Sequence, residues 1–303
     1  MIDGLKKALP LANDYREIRL PKKGGGLRKI CIPSEELKEV QRKLILPFLK
    51  KLTEKDRLLR INDSLSVSWY LPRKYNCSYV EHARLHSDSR FIFHFDLKDA
   101  FNSVSSEEVR RILFWLSVSD KELVDSVSRL TTFKGCLPQG APTSPLLFYL
   151  SLMRNGLFEK ISSLALPEWK LSFYVDNFVL SGEKPLPDDL RESVFRQLIE
   201  AGFGINRAKT WLADCRQGAP LITGIRVEGT KRISLSKKTI RRWRGFIHRA
   251  AFLDDPKAEI QIKGFVSSLR PIYGQELPPQ LASAIAFFEE RKTEAQYARS
   301  TRR

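Results

Sequence analysis

Three short segments carry the residue types that do chemistry: FDLKDAFNSV at 95–104, LPQGAPTSPLL at 137–147 and FYVDNF at 173–178. Asp96 closes a Phe-rich run, and Asp176 stands at the tip of a hairpin pattern between Tyr174 and Phe178. A carboxylate at the end of a buried strand is costly unless something pairs with it, and a divalent cation is one such partner. Two strand-end aspartates from different segments suit two Mg²⁺ ions about 4 Å apart, an arrangement that activates an attacking hydroxyl and stabilises a pyrophosphate leaving group. Either aspartate taken alone reads more simply as a turn or helix-capping residue.

The elements that must position these residues alternate between short strands and amphipathic helices. Residues 15–33 read as two strands joined at Gly24-Gly25-Gly26, a flexible basic hairpin. Leu37, Val40, Leu44, Ile45, Phe48 and Leu52 recur at helical spacing, with Pro47 expected to kink or divide that helix. Residues 91–97 read as a strand, and Ser105 with Glu108 makes a capping box for a helix on Val109, Ile112, Leu113 and Leu116. Beyond a turn at 135–145, an apolar helix is expected to run through Leu150 and Leu157. Residues 171–181 read as two strands with Asp176-Asn177 at the bend, followed by a helix through Leu190, Val194 and Leu198.

Composition narrows the function classes. The chain has 303 residues, enough for two domains or one lobed enzyme, and an apolar fraction of 42% with 18 Phe and 5 Trp excludes a disordered basic tail. Fifty-two Lys and Arg against 35 Asp and Glu leave a net charge of +17, which favours a polyanionic partner because phosphate contacts release condensed counterions. The cysteines Cys31, Cys77, Cys136 and Cys215 have no paired spacing, so neither a zinc site nor a disulfide framework is suggested. The N-terminus lacks a signal-peptide core, and no stretch approaches the roughly 18 apolar residues of a membrane span. The expectation is a soluble intracellular protein with no membrane partner.

Charge concentrates after residue 225. Between Arg226 and Ala250 nine Lys and Arg face Glu228 alone. Ser236 is placed to cap a helix whose apolar face is Ile240, Trp243, Ile247 and Ala251, with Lys237, Lys238, Arg241, Arg242 and Arg249 on its other faces. A last helical pattern runs through Leu281, Ile285 and Phe288.

In order and spacing the three chemical segments resemble the catalytic palm motifs of reverse transcriptases, most closely the compact bacterial retron type. The resemblance implies that Asp96 and Asp176 bind the catalytic metals, together with the backbone at Leu97 and the side chain of Asn177. It implies that Phe101 is the aromatic gate that excludes a 2′-hydroxyl, and that Gln139 and Gly140 lie at the incoming nucleotide. The hairpin PKKGGGLRK looks like the family's fingers strands, where Lys22 or Lys23 and Arg28 clamp the triphosphate. NRAKT at 206–210 resembles the motif whose lysine, Lys209, approaches the leaving pyrophosphate. Ile222-Thr223-Gly224 resembles the Val-Thr-Gly signature that helps retron enzymes hold their RNA. EHARLH at 81–86 resembles an Asn-Ala-x-x-His segment, with His86 retained and His82 replacing the asparagine, and reads as a surface or RNA-facing helix.

The implied fold class is α+β, the right-hand polymerase fold, with fingers at 1–94, palm at 95–225 and a basic helical thumb at 226–303. The implied activity is RNA-directed DNA synthesis with two Mg²⁺ ions, or Mn²⁺. The partners implied are dNTPs, a structured noncoding RNA that is both template and primer, an RNA-linked cDNA product and an effector protein in anti-phage defence, all in the bacterial cytoplasm. Lys237, Lys238, Arg241, Arg242 and Arg249 would then track nucleic-acid phosphates, while Trp243 and Phe246 read as packing within the thumb. One departure stands out: the family usually has a second aspartate where this chain has Asn177, which removes a unit charge beside the metals. Two alternatives remain open, a defence enzyme making unbranched or untemplated cDNA and a catalytically silent RNA-binding homologue.

Overall fold

The computed structural model describes residues 2–21, 25–55, 78–165, 168–253 and 255–300. The chain forms two compact units, Met1–Cys77 with Phe91–Leu212, and Ser78–Arg90 with Ala213–Arg303. This grouping differs from the expected divisions after residues 94 and 225. It arises because Arg90 binds the Asp214 carboxylate through Nε at 3.2 Å and Nη2 at 2.9 Å. In the same unit the Thr223 hydroxyl donates to the Tyr79 carbonyl at 2.8 Å, and the Lys231 N–H donates to the Ser87 carbonyl at 2.8 Å.

In the first unit, strands β1 (Tyr15–Pro21) and β2 (Leu27–Pro33) form the expected antiparallel hairpin. Lys22, Lys23 and Gly24 lie outside the described residues. A four-stranded sheet follows, built from β3 (Phe91–Lys98), β4 (Lys170–Tyr174), β5 (Asn177–Gly182) and β6 (Gly204–Asp214) in the order β4-β5-β3-β6. Strand side chains alternate between faces, so Phe93, Phe95 and Leu97 enter the core while His94 and Asp96 point the other way. Phe95 stacks on Phe178 at 5.1 Å between ring centroids, and Phe178 stacks on Phe173 at 5.0 Å. Helices Ser106–Trp115, Lys121–Thr131, Ser144–Arg154 and Asp188–Glu200 supply Ile112, Leu130, Leu147 and Leu198 to the same core.

Three local expectations take a different form. Near Pro47 the helix is divided without being broken: Glu35–Val40 and Leu46–Lys55 are α-helical and a wider π-turn over Gln41–Ile45 joins them. The wide turn sits just before a residue that has no N–H to donate. The helix expected through Leu150 and Leu157 ends at Arg154 and restarts at Leu157, because Gly156 takes a left-handed φ of 60°. Half of the capping box forms: Ser105 Oγ accepts the Glu108 N–H at 3.1 Å. The Glu108 carboxylate instead receives Arg154 through Nε at 2.7 Å and Nη2 at 2.8 Å, which joins two core helices.

The second unit holds a small antiparallel sheet of β7 (Leu221–Ile222), β8 (Ile225–Val227) and β9 (Ile233–Leu235). Its helices are Tyr79–Leu85, Lys237–Ala250, Pro256–Tyr273 and Pro279–Ser300. Ser236 caps the basic helix as expected, its Oγ accepting the Thr239 N–H at 3.1 Å. Trp243 stacks face to face on Phe265 at 3.8 Å, so the tryptophan is a packing residue. Among the described residues no helix is long and apolar enough to cross a membrane.

The Glu108–Arg154 pair generates a stability prediction. A hydrogen bond to a charged group contributes about 1.5–3 kcal/mol, and this pair is bidentate and only partly exposed. Glu108→Ala is expected to lower the urea unfolding midpoint by the equivalent of about 1–3 kcal/mol. An unchanged midpoint would show the pair to be dispensable.

Candidate active site

The site is assembled by strand register. In the β3–β5 pair Asp96 lies directly opposite Asn177, and the Leu97 N–H donates to the Asp176 carbonyl at 2.8 Å. The two carboxylate-bearing segments are therefore locked to one another by backbone. Asp176 occupies the second position of a two-residue turn, because β4 ends at Tyr174 and β5 begins at Asn177. The turn is thus Val175-Asp176 rather than the expected Asp176-Asn177, and Asn177 is a strand residue. Val175 has a φ of 60°, where a β-branched side chain is unusual and costs about 1–3 kcal/mol.

Strand β6, on the other side of β3, brings Lys209 to the pair. Lys209 Nζ lies 2.5 Å from Asp96 Oδ2, and Asn177 Nδ2 donates to Asp96 Oδ1 at 2.7 Å. Asp96 itself is only 4% exposed, so the ammonium and the amide replace the water it has lost. Burial first, and repulsion from Asp96 second, raise the Asp176 pKa above its ordinary value; Lys209 and Arg28 act in the opposite sense. Arg28 of the β1–β2 hairpin therefore belongs to the electrostatic environment of the site.

Two residues that the sequence reading passed over complete the cluster. His94 stacks on Trp211 with ring centroids 4.7 Å apart and planes 9° from parallel. Its Nε2 lies 2.8 Å from Asn177 Oδ1 and its Nδ1 lies 3.2 Å from the Lys209 carbonyl. The signal was the period of two: His94 stands two before Asp96 and Trp211 two after Lys209, so each shares its neighbour's sheet face.

The residues assigned to the nucleotide are placed as follows. Phe101 is half-buried and meets Phe148 edge-on at 5.7 Å, which fixes its ring. The Gln139 carbonyl accepts the Cys31 N–H at 2.8 Å, tying the loop at 137–143 to β2. Gly140 has a φ of 127°, and a Cβ there would come within 2.8 Å of the Cys31 carbonyl oxygen, so only glycine allows this approach. Arg28 is exposed, and Lys22 and Lys23 lie outside the described residues.

Among the residues assigned to RNA and DNA, two are corrected. His86 is fully buried with His82, their rings edge to face at 5.8 Å, so the helix expected at the surface is a packed one. Ile222 is also fully buried and holds its turn from beneath. Thr223 and Gly224 form the β7–β8 turn, with φ of 48° and 87°. Lys237, Lys238, Arg241, Arg242 and Arg249 are exposed on the basic helix.

The residues present fit divalent cations. Two carboxylates held beside one another, one with its ionisation opposed by the other, leave negative charge that a cation would relieve. Among the described residues no cluster of three His, Cys, Asp or Glu makes a ready cage. A pair of carboxylates is the kind of donor set that binds a divalent cation whose other oxygens come from water and substrate phosphates. As placed, Asn177 presents an N–H to Asp96 and turns its oxygen toward His94.

Comparison with known proteins places this geometry. A family model described as reverse transcriptase (RNA-dependent DNA polymerase) matches residues 20–246. The retron Mx65 reverse transcriptase of Myxococcus xanthus is 27% identical over 292 residues, covering 90% of this chain and 63% of that protein. The retron Ec86 reverse transcriptase of Escherichia coli is 26% identical over 239 residues, covering 77% of this chain and 69% of that protein. In fold, the chain superposes on telomerase from Candida albicans in complex with a telomeric RNA fragment, with a TM-score of 0.54 and 14% identity over 91% of this chain and 56% of the other. The chain thus spans under two thirds of both the Myxococcus relative and the telomerase.

Electrostatics at Asp176 generate a pH prediction. An acid whose pKa is raised on folding binds its proton more tightly in the folded state, so stability falls as pH rises through that value. Asp176→Asn is expected to raise the thermal midpoint at pH 7, with the gain disappearing as pH falls into the ordinary carboxylate range. Added Mg²⁺ is expected to raise the wild-type midpoint more than that of the variant. A midpoint at pH 7 that drops on this substitution counts against a charge held there at a cost.

Proposed function

This chain belongs to the reverse transcriptase (RNA-dependent DNA polymerase) family, and from that premise we propose that it is an RNA-directed DNA polymerase of retron type. The observation that carries the proposal is the placement of Asp96 and Lys209 on adjacent strands with Asp176 at the neighbouring β4–β5 turn, which holds two carboxylates beside one another. The template is a structured noncoding RNA whose own hydroxyl primes synthesis, the substrates are dNTPs, and the product is single-stranded DNA linked to RNA. The similarity to retron reverse transcriptases of Myxococcus xanthus and Escherichia coli supports the retron reading and a bacterial setting. The cytoplasm as its location and an effector protein in anti-phage defence as a further partner belong to the same proposal. The fingers are assigned to 1–94, the palm to 95–225 and the thumb to 226–303.

When bound, two Mg²⁺ ions, or Mn²⁺, supply activation of the attacking hydroxyl and neutralisation of the leaving pyrophosphate. Asp96, Asp176 and the backbone at Leu97 would hold them. Arg28, with Lys22 or Lys23, would meet the triphosphate, the guanidinium through a bidentate fork and the lysine as a point charge. Lys209 carries an exposed ammonium beside Asp96 and is assigned the proton that the pyrophosphate takes. Phe101, braced by Phe148, crowds the position of a 2′-hydroxyl and so favours deoxynucleotides. Gln139 and Gly140 form the floor for the incoming base, their loop fastened to β2.

The basic helix is assigned to the nucleic-acid backbone together with the Thr223-Gly224 turn. Lys237 and Lys238 occupy its first turn, which contains no acidic residue. Cations at the positive end of a helix dipole are unfavourable for the isolated fold, and a bound phosphate reverses that sign.

Asp96→Ala is expected to abolish incorporation of labelled dNTP while RNA affinity stays within about threefold of wild type. Retained incorporation would remove Asp96 from the metal site; incorporation absent from the wild-type chain with both Mg²⁺ and Mn²⁺ would favour the silent RNA-binding reading. RNase followed by a debranching enzyme separates an RNA-linked product from linear cDNA. Phe101→Ala is expected to raise ribonucleotide use by at least about tenfold relative to dNTP, and an unchanged ratio would return Phe101 to the core.

A further inference from the structure

The structure assigns His94 as a positioning residue that locks the Asn177 carboxamide, so that Asn177 serves Asp96 as a hydrogen-bond donor rather than serving a metal as an oxygen ligand. The inference rests on the reading of Asp96 as a metal ligand. An ionised carboxylate accepts hydrogen bonds and repels oxygen, so the Asn177 atom 2.7 Å from Asp96 Oδ1 is the amide nitrogen. That choice turns Asn177 Oδ1 toward His94 Nε2 at 2.8 Å, where the ring nitrogen donates. Burial and the stack on Trp211 hold the ring in place.

The result is a chain of contacts, Trp211 to His94 to Asn177 to Asp96, that runs across three adjacent strands. Asp96 is held at both oxygens, Oδ1 by Asn177 and Oδ2 by Lys209. An aspartate at position 177 would face Asp96 with a second acceptor and could not make the 2.7 Å bond while both acids are ionised. The departure from the family's paired aspartates is therefore matched by a histidine placed to orient the amide. Groups that orient a metal ligand typically change metal affinity or activity by about 10–100-fold when removed.

The test uses the full chain and Mn²⁺ alone, with the free ion followed by electron paramagnetic resonance. His94→Phe keeps a ring against Trp211 and removes the donor; it is expected to weaken Mn²⁺ binding about tenfold and lower kcat with little change in KM for dNTP. His94→Gln, which can still donate to Asn177 Oδ1, is expected to recover most of that loss. Asn177→Ala is expected to weaken binding equally, and adding His94→Phe to it should cost less than about a further twofold. Independent, additive losses would overturn the inference, as would tighter Mn²⁺ binding in His94→Phe, the result expected if the freed amide oxygen became a ligand. A His94→Gln variant as poor as His94→Phe despite the wild-type melting temperature would also overturn it. Mn²⁺ binding that survives Asp96→Ala would instead defeat the underlying site assignment, which keeps the two failures distinct.

Discussion

The antiparallel pairing of β3 with β5 is the constraint from which the rest of the site follows. Its register sets Asp96 opposite Asn177 and ties the Leu97 N–H to the Asp176 carbonyl. A slip of one residue would carry Asp96 to the core face and Phe95 to the polar face. What prevents the slip lies on the other side of the sheet, where Phe95, Phe178 and Phe173 stack and Phe93 packs beside them. Each buried aromatic contributes about 1.5–3 kcal/mol, enough together to hold two acids in a proximity that their charges oppose.

The polar face is organised to tolerate that proximity. Lys209 and Asn177 each satisfy one oxygen of Asp96, and His94 with Trp211 holds the amide in place. Asp176 has less support; burial and the neighbouring charge both oppose its ionisation. The backbone beside it is strained as well, with Val175 in a conformation that suits glycine. Charge and strain thus concentrate at one hairpin tip, where a bound cation would relieve the first and a rigid sheet sustains the second.

Much of the site was legible because its signals are local. Asp96 at a strand end, the Ser105 and Ser236 caps and the hairpin at 171–181 depend on neighbours within a few positions. The errors came where a distant partner decides. Glu108 leaves its capping partner for Arg154, 46 positions away, and His86 reads as an exposed polar residue yet lies wholly buried. Asn177 reads as a lost charge, and nothing adjacent to it announces that His94 takes its oxygen.

The sequence by itself determined which residues carry charge and chemistry, the strand or helix character of segments such as 91–97, 171–181 and 237–250, and the family to which their order belongs. Those properties follow from side-chain type and from periods of two and 3.6, which need no knowledge of distant contacts. Only the tertiary structure decided that β6 lies beside β3, that Lys209 therefore neutralises Asp96, and that the Asn177 amide faces Asp96 with its nitrogen. Strand order and side-chain orientation are settled by packing between segments far apart in the chain, where a hydrogen bond's direction depends on every acceptor within reach.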